Sequence, residues 1–331
     1  MLWEEAGEGR VRCQLCAHRC LIAPGARGIC GVRENRGGKL YSLVYGRLVS
    51  QALDPVEKKP LFHFLPGTTT LSIAAVGCNF RCDFCQNHEI SQFPRERGRI
   101  VGEEVEPAEI VAAAKSTGSH SISYTYTEPT VFFEFCYETG KRAAQEGLRN
   151  IFVTNGYLTE EALGEAKGWL HAANVDLKSF SPEFYRKFCG ASLQPVLDTI
   201  ARMWEAGIWV EVTTLVIPGR NDAGEGLRWI AEFLAGISPD IPWHVSRFVP
   251  AYKVWDLPPT PVATLRKARE IGLSAGLHFV YLGNVPGEGE DTLCPACGRV
   301  LIRRYGFQVV ESSLVDGRCP GCGEAIAGVW S

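Results

Sequence analysis

The stretch VGCNFRCDFCQN places Cys78, Cys82 and Cys85 in a CxxxCxxC pattern directly after an apolar run. One tight loop with this spacing can wrap three thiolates around three corners of an inorganic cluster. A [4Fe-4S] cluster normally takes one protein thiolate per iron, so three cysteines leave one iron open to another ligand. A zinc knuckle closed by a remote residue such as His88 would also use these residues, as would three unrelated buried cysteines. Zinc knuckles more often use CxxC, however, and buried cysteines need no such loop.

The remaining cysteines fall into groups. Thirteen are present, in a chain whose first residues, MLWEEAGEGR, lack the basic-then-apolar pattern of an export signal. A cytoplasmic location is expected, where thiols serve metals or catalysis rather than disulfides. Near the C-terminus, CPACG and CPGCG supply Cys294, Cys297, Cys319 and Cys322. Two such knuckles form a closed tetrahedral site across a small hairpin. Zinc is the expected metal, rubredoxin-like iron the alternative, and the role structural. Near the N-terminus, Cys13, Cys16, Cys20 and Cys30 again suffice for one site. Zinc is the expectation there, with an auxiliary [4Fe-4S] cluster as the alternative. His18 reads as a surface residue, and Cys136 and Cys189 read as core.

These groups need a scaffold, and the chain between them alternates. Strand-length apolar runs occur at 71–77, 121–126, 150–155, 173–178, 208–217, 243–248 and 277–283, with segments of helical period between most of them. Strands alternating with helices imply parallel pairing through right-handed crossovers. The expected fold is α/β, a partial (β/α)6 TIM-like barrel, although the pattern alone also fits a doubly wound sheet. Expected boundaries are a four-cysteine segment at 1–65, the barrel at 66–286 and a zinc-ribbon or rubredoxin-like knuckle at 287–331. In such a barrel the chemistry lies just after each strand. The 34 basic and 37 acidic residues are interspersed, which argues against a nucleic-acid partner, and no apolar run is long enough to span a membrane.

The triplet, with the aromatic Phe84 just before its last cysteine, resembles the signature of the radical S-adenosylmethionine (SAM) enzymes. The following QN, together with EKKPLFHFLPG and NVPGEGEDTLCPACG, is similar to the AmmeMemoRadiSam-type branch, relatives of the activases of pyruvate formate-lyase. The resemblance implies that Cys78, Cys82 and Cys85 hold a [4Fe-4S] cluster whose open iron is chelated by SAM. It further implies reductive cleavage of SAM to a 5'-deoxyadenosyl radical that takes hydrogen from a protein, with a glycyl radical as one outcome, or from a small molecule. Partners so implied are an electron donor such as flavodoxin or ferredoxin and a protein substrate or Memo-like protein. A second reading, from a different class, is a redox-inert zinc-ribbon protein that docks other proteins or nucleic acid.

Ligands for the rest of SAM are expected at later strand ends. Glu128, in TEP, stands where relatives carry an acid for the methionine ammonium, although their double glycine is absent here. Asn155, in TNGY, is a polar group at a strand end. Asp176 and Lys178 lie two apart, on one strand face; the resemblance sets Lys178 against the SAM carboxylate. Ile217, with Val216, offers an apolar shelf in the region the family uses against adenine. Arg247 is a candidate for a SAM or substrate carboxylate. Lys58 and Lys59 read as a solvated basic turn.

Overall fold

Each of the seven apolar runs becomes a strand of one central sheet. The computed structural model describes residues 1–331. Its sheet consists of β1 (Ser50–Pro55), β2 (Thr69–Ala74), β3 (Ser121–Tyr124), β4 (Arg149–Thr154), β5 (Ala172–Asp176), β6 (Trp209–Val216), β7 (Trp243–Arg247) and β8 (Val280–Gly283). Strands β2 to β8 run parallel, each beside the next in the chain, and β1 adds an antiparallel edge against β2. A doubly wound sheet reverses its order at a switch point. This one has no reversal and is barrel-like.

The first six parallel strands are each followed by a helix: α1 (Pro107–Ser116), α2 (Phe133–Gln145), α3 (Glu160–Ala166), α4 (Gln194–Glu205), α5 (Gly224–Ile237) and α6 (Val262–Ser274). Their ends follow local rules. Helix α1 opens with a proline, and the Glu109 carboxylate accepts a hydrogen bond from the Glu106 N–H at 2.7 Å. In α3 the Thr159 hydroxyl accepts from the Ala162 N–H at 3.1 Å. Strand β5 buries four of its five residues, as a strand covered on both faces must.

Head and tail are built onto this sheet differently. Head residues Val11, Leu15, Ile22 and Val32 join the same apolar core as the strands. The edge strand β1 falls within the expected head segment, yet all six of its residues pair with β2. A boundary after residue 65 therefore cuts through the sheet. The tail carries β9 (Thr292–Leu293), β10 (Val300–Tyr305) and β11 (Gln308–Ser312), an antiparallel unit with a small core that includes Phe62, Phe279 and Tyr281.

A buried polar network fastens the tail. The Glu211 carboxylate accepts from the backbone N–H groups of Phe62 and His63 at 2.9 and 2.8 Å, and lies 2.7 Å from His244 Nε2. Burial opposes its charge, but the His244 hydrogen bond and the other donors outweigh this and lower its pKa. His63 Nδ1 donates to the Ala327 carbonyl at 2.7 Å, and its Nε2 accepts from the Tyr281 hydroxyl at 2.6 Å. This is a neutral imidazole spanning sheet and tail.

Burial lowers the His63 pKa to about 4. In the unfolded chain the imidazole binds its proton near the ordinary value of about 6.5. The contribution is complete above that value and is lost as pH falls toward 4, about 3 kcal/mol in all. Thermal unfolding of anaerobic protein followed by circular dichroism should therefore show a midpoint that falls from pH 6.5 to 4.5. The fall should be shallower in His63→Gln, and equal slopes would show that His63 does not carry the effect.

Candidate active site at the three-cysteine loop

The three-cysteine loop leaves the end of β2 and is clamped on several sides. The Arg95 guanidinium donates to the carbonyls of Cys78 and Phe80, the latter at 2.8 Å, and its Nε donates to the Ile29 carbonyl of the head at 2.7 Å. Backbone N–H groups of Arg81 and Asp83 donate to the carbonyls of Cys189 and Phe188 at 2.9 and 3.1 Å. Asn87 Nδ2 donates to the Tyr126 carbonyl at 2.8 Å, tying the loop to the turn after β3. A loop held at so many points keeps its sulfurs in place without help from regular structure.

The sulfurs lack the environment of a nucleophile. Burial raises the pKa of Cys78 and Cys85; for Cys82 the thiol of Cys189 beside it adds to burial in the same direction. Free thiols here stay protonated at neutral pH, and bound iron would supply the positive charge that turns them into thiolates. Small donors surround them. The Phe80 N–H reaches Cys78 Sγ at 3.3 Å, and Ser91 Oγ lies 3.3 Å from Cys85 Sγ. The three sulfurs do not all lie within 4.8 Å of one another, the spread that separate irons of a cluster require and a single ion does not.

All three cysteines line one cavity of about 410 Å³, within the range of roughly 300–1,000 Å³ usual for small-molecule sites. Its other walls come from one end of the sheet, with Val153 of β4, Asp176 of β5, Thr213 and Leu215 of β6 and Ser246 of β7. Asn155 faces this cavity and donates through Nδ2 to Asn79 Oδ1 at 2.7 Å, with Cys78 Sγ 3.8 Å away. Lys178 Nζ lies 3.1 Å from Asp176 Oδ2 and 5.9 Å from the centre of the Phe84 ring. Burial disfavours the Lys178 charge, but the Asp176 carboxylate opposes this, and the Lys178 pKa is raised. Lys178 is a held cation, and Asp176 keeps part of its carboxylate exposed.

Three expected SAM contacts lie elsewhere. Glu128 is fully buried and does not line the cavity. One of its oxygens accepts from Thr130 N–H, Thr130 Oγ1 and Thr154 Oγ1 at 3.1, 2.6 and 2.8 Å, and the other from the Asn155 N–H at 2.8 Å. With a protein donor on each oxygen, the carboxylate fixes the strand ends that carry Asn155 and stands behind the cavity wall rather than on it. Ile217 is buried away from the opening; its N–H donates to Asn221 Oδ1 at 2.6 Å, and Asn221 Nδ2 donates to the Lys178 carbonyl at 2.6 Å. Arg247 points to the opposite face of β7 from Ser246 and donates to the Thr260 carbonyl at 2.9 Å. Strand alternation separates those neighbours.

The structure also adds residues. Lys58 and Lys59 both line the cavity; Lys58 is solvent-exposed, as expected of a basic turn, whereas Lys59 is 1% exposed. Their amines lie 2.7 Å from the two oxygens of Asp54, which also accepts from the Tyr126 hydroxyl. Burial lowers the Lys59 pKa to about 8, against the pull of Asp54. Tyr126 has a φ of 63°, a left-handed conformation that costs an L-residue about 1 kcal/mol or more and concentrates at ligand sites. The two lysines beside an aromatic run were the available signal, but Asp54 lies on the edge strand that sequence pattern had not revealed. Cys189 is core, as expected, and stands against Cys82. In the tail, the sulfurs of Cys294, Cys297, Cys319 and Cys322 all lie within 4.8 Å of one another, with contacts of 3.5 and 3.6 Å, forming a four-cysteine metal site.

The radical SAM superfamily model matches residues 72–230. An uncharacterized protein of Methanocaldococcus jannaschii is 46% identical over 98% of both chains. A protein of the same organism named for glycyl-radical enzyme activation is 26% identical over 65% of this chain and 79% of its own. The GTP 3',8-cyclase of Aquifex aeolicus is 29% identical over 69% of this chain and 77% of its own. Among solved structures, SuiB of Streptococcus suis bound to S-adenosylmethionine superposes with a TM-score of 0.51 at 13% identity, over 69% of this chain and 53% of its own. Residues 72–230 thus form a radical SAM superfamily domain, a family that implies SAM and a [4Fe-4S] cluster.

The assignment of Glu128 as an anchor has a measurable consequence. Glu128→Ala strands two hydroxyls and two backbone N–H groups and should cost about 3 kcal/mol in anaerobic denaturant unfolding. A change under about 0.5 kcal/mol, the range of an ordinary surface substitution, would mean that the carboxylate is not holding the strand ends.

Proposed function

We propose that this protein is an activase-like radical SAM enzyme in which Cys78, Cys82 and Cys85 hold the [4Fe-4S] cluster and the cavity beside them takes SAM. The observation that carries this is the set of three spread thiols, Cys82 buried and Cys78 and Cys85 half-buried, on a cavity at the strand ends, with no further cysteine among its lining residues. When bound, the cluster and SAM supply reductive cleavage to a 5'-deoxyadenosyl radical that abstracts hydrogen.

The chain's own residues position and screen. Lys178 offers a fixed cation to the SAM carboxylate, and Asp176 is the acid on the cavity wall available to the ammonium or the ribose. Asn155, held by Glu128, sets a donor beside Cys78. Phe80, Phe84 and Leu215 give the cavity apolar walls that limit water. The sheet is proposed to curve as a partial barrel, and the tail site to hold zinc in a structural role. A one-electron donor protein such as flavodoxin or ferredoxin is the proposed reductant. Relatives named for glycyl-radical activation and for a cyclase leave a protein glycine, a Memo-like partner protein or a small molecule as the hydrogen source. The zinc-ribbon docking alternative gives no purpose to the cysteine-lined cavity and is not favoured.

Anaerobically purified protein incubated with dithionite and SAM should release methionine and 5'-deoxyadenosine, as read by liquid chromatography. Cys82→Ala should abolish release, and full retention would sink the assignment. Lys178→Met should keep its iron and weaken SAM binding about tenfold or more, the loss of one charge-assisted hydrogen bond. Unchanged affinity in equilibrium dialysis would remove Lys178 from the site.

A further inference from the structure

We infer that the four head cysteines, Cys13, Cys16, Cys20 and Cys30, hold a second, fully ligated [4Fe-4S] cluster rather than zinc, seated beside the three-cysteine loop. The chain supplies its own reference for each geometry. In the tail all four sulfurs lie within 4.8 Å of one another, with contacts of 3.5 and 3.6 Å. Zinc–sulfur bonds of about 2.3 Å put the corners of a tetrahedron about 3.8 Å apart, so the tail spacing is that of a single ion. In the head no three sulfurs meet the 4.8 Å limit, although all four cysteines line one cavity, of about 20 Å³. Four thiols that face a common space from farther apart match a cubane, in which each thiolate sits on its own iron. The head sulfurs share this spread with the three of the active-site loop.

The surroundings agree. Most of the cavity's lining is apolar, including Leu15, Ile22 and Ile29, so a water there would find too few polar partners. Asn79 also lines it, is 1% exposed, and keeps a buried Nδ2 without an acceptor. A cluster sulfide or thiolate would provide one, whereas the four saturated thiolates of a zinc site lie closer in and leave the outer donors unmatched.

The placement is as specific as the spacing. Asn79 lines the head cavity, and its neighbour Cys78 lines the active-site cavity. Their Cα atoms are about 3.8 Å apart, so the two cavities are lined by consecutive residues. His18 Nε2 donates to the Asn79 carbonyl at 2.9 Å, and Arg95 bridges Ile29 of the head to Cys78 and Phe80. Gly77 has a φ of 102°, and a Cβ there would come within 2.6 Å of Val32 Cγ1 and 3.3 Å of the Cys30 carbonyl. Only glycine lets the head close this tightly onto the loop. A cluster here stands where it can exchange one electron with the active-site cluster, a role that rests on the proposed SAM chemistry; its presence does not.

The test isolates the head. The full chain carrying Cys78→Ala, Cys82→Ala and Cys85→Ala together is reconstituted anaerobically with iron and sulfide. About four irons and four sulfides per chain should remain, with a [4Fe-4S] electron paramagnetic resonance signal after dithionite reduction. An iron-free variant with zinc in both the head and the tail would overturn the inference. Should the triple variant fold poorly, the double variant Cys16→Ala and Cys20→Ala in the otherwise native chain serves instead, since the two thiols it leaves are too few to hold a cluster. It should lose about half of some eight irons while the tail metal is unchanged, and full iron retention would refute the site. In the native chain the two reduced signals should broaden each other, and a spectrum equal to the sum of the two variants would refute the adjacency. These readouts do not involve SAM turnover, so failure of the proposed function would be seen separately.

Discussion

Desolvation of thiols is the constraint around which the molecule is arranged. Cys78 and Cys85 sit where burial holds their protons on, and for Cys82 the Cys189 thiol and burial do so together. A metal cluster with its own positive charge turns that cost into a binding site, provided the sulfurs are fixed before it arrives. The fixing is done by ordinary means. Arg95 gathers carbonyls of the loop, Asn87 reaches the next turn, and the segment ending at Cys189 backs the loop along its length.

The same logic explains Glu128. A carboxylate at 0% exposure is tolerable only when its oxygens are satisfied, and four protein donors satisfy them. The result is a strand end rigid enough to place Asn155 beside Cys78. An acid first read as a ligand contact thus acts one step back, and the exposed carboxylate passes to Asp176. Lys178 and Lys59 repeat the pattern, each a mostly buried amine beside its own aspartate. The cavity wall is therefore charged but internally compensated, which lets it present cations to a ligand without unfolding around them.

Head and tail use the same residue type to different ends. In the tail, sulfurs drawn close together staple a small hairpin whose own core is slight. In the head, sulfurs stand apart within a segment that already shares the main core, so a staple is not what that segment lacks.

Much of this was legible in the residues alone. All seven parallel strands, the six strand–helix units and the cysteine groups follow from hydrophobic period and spacing, because these are local properties of the chain. CxxxCxxC fixes which sulfurs share a loop, and DLK fixes that Asp176 and Lys178 stand two apart, although β5 ends at Asp176 and the pairing is made just beyond the strand. Tertiary structure decided what spacing cannot express. It paired Ser50–Pro55 with a strand already read, bringing Asp54 to Lys59. It turned Glu128 inward and Arg247 away, and it set the sulfur separations that distinguish head from tail. Each of these depends on how far apart two segments stand once packed, and that distance is a property of the fold rather than of any stretch of sequence.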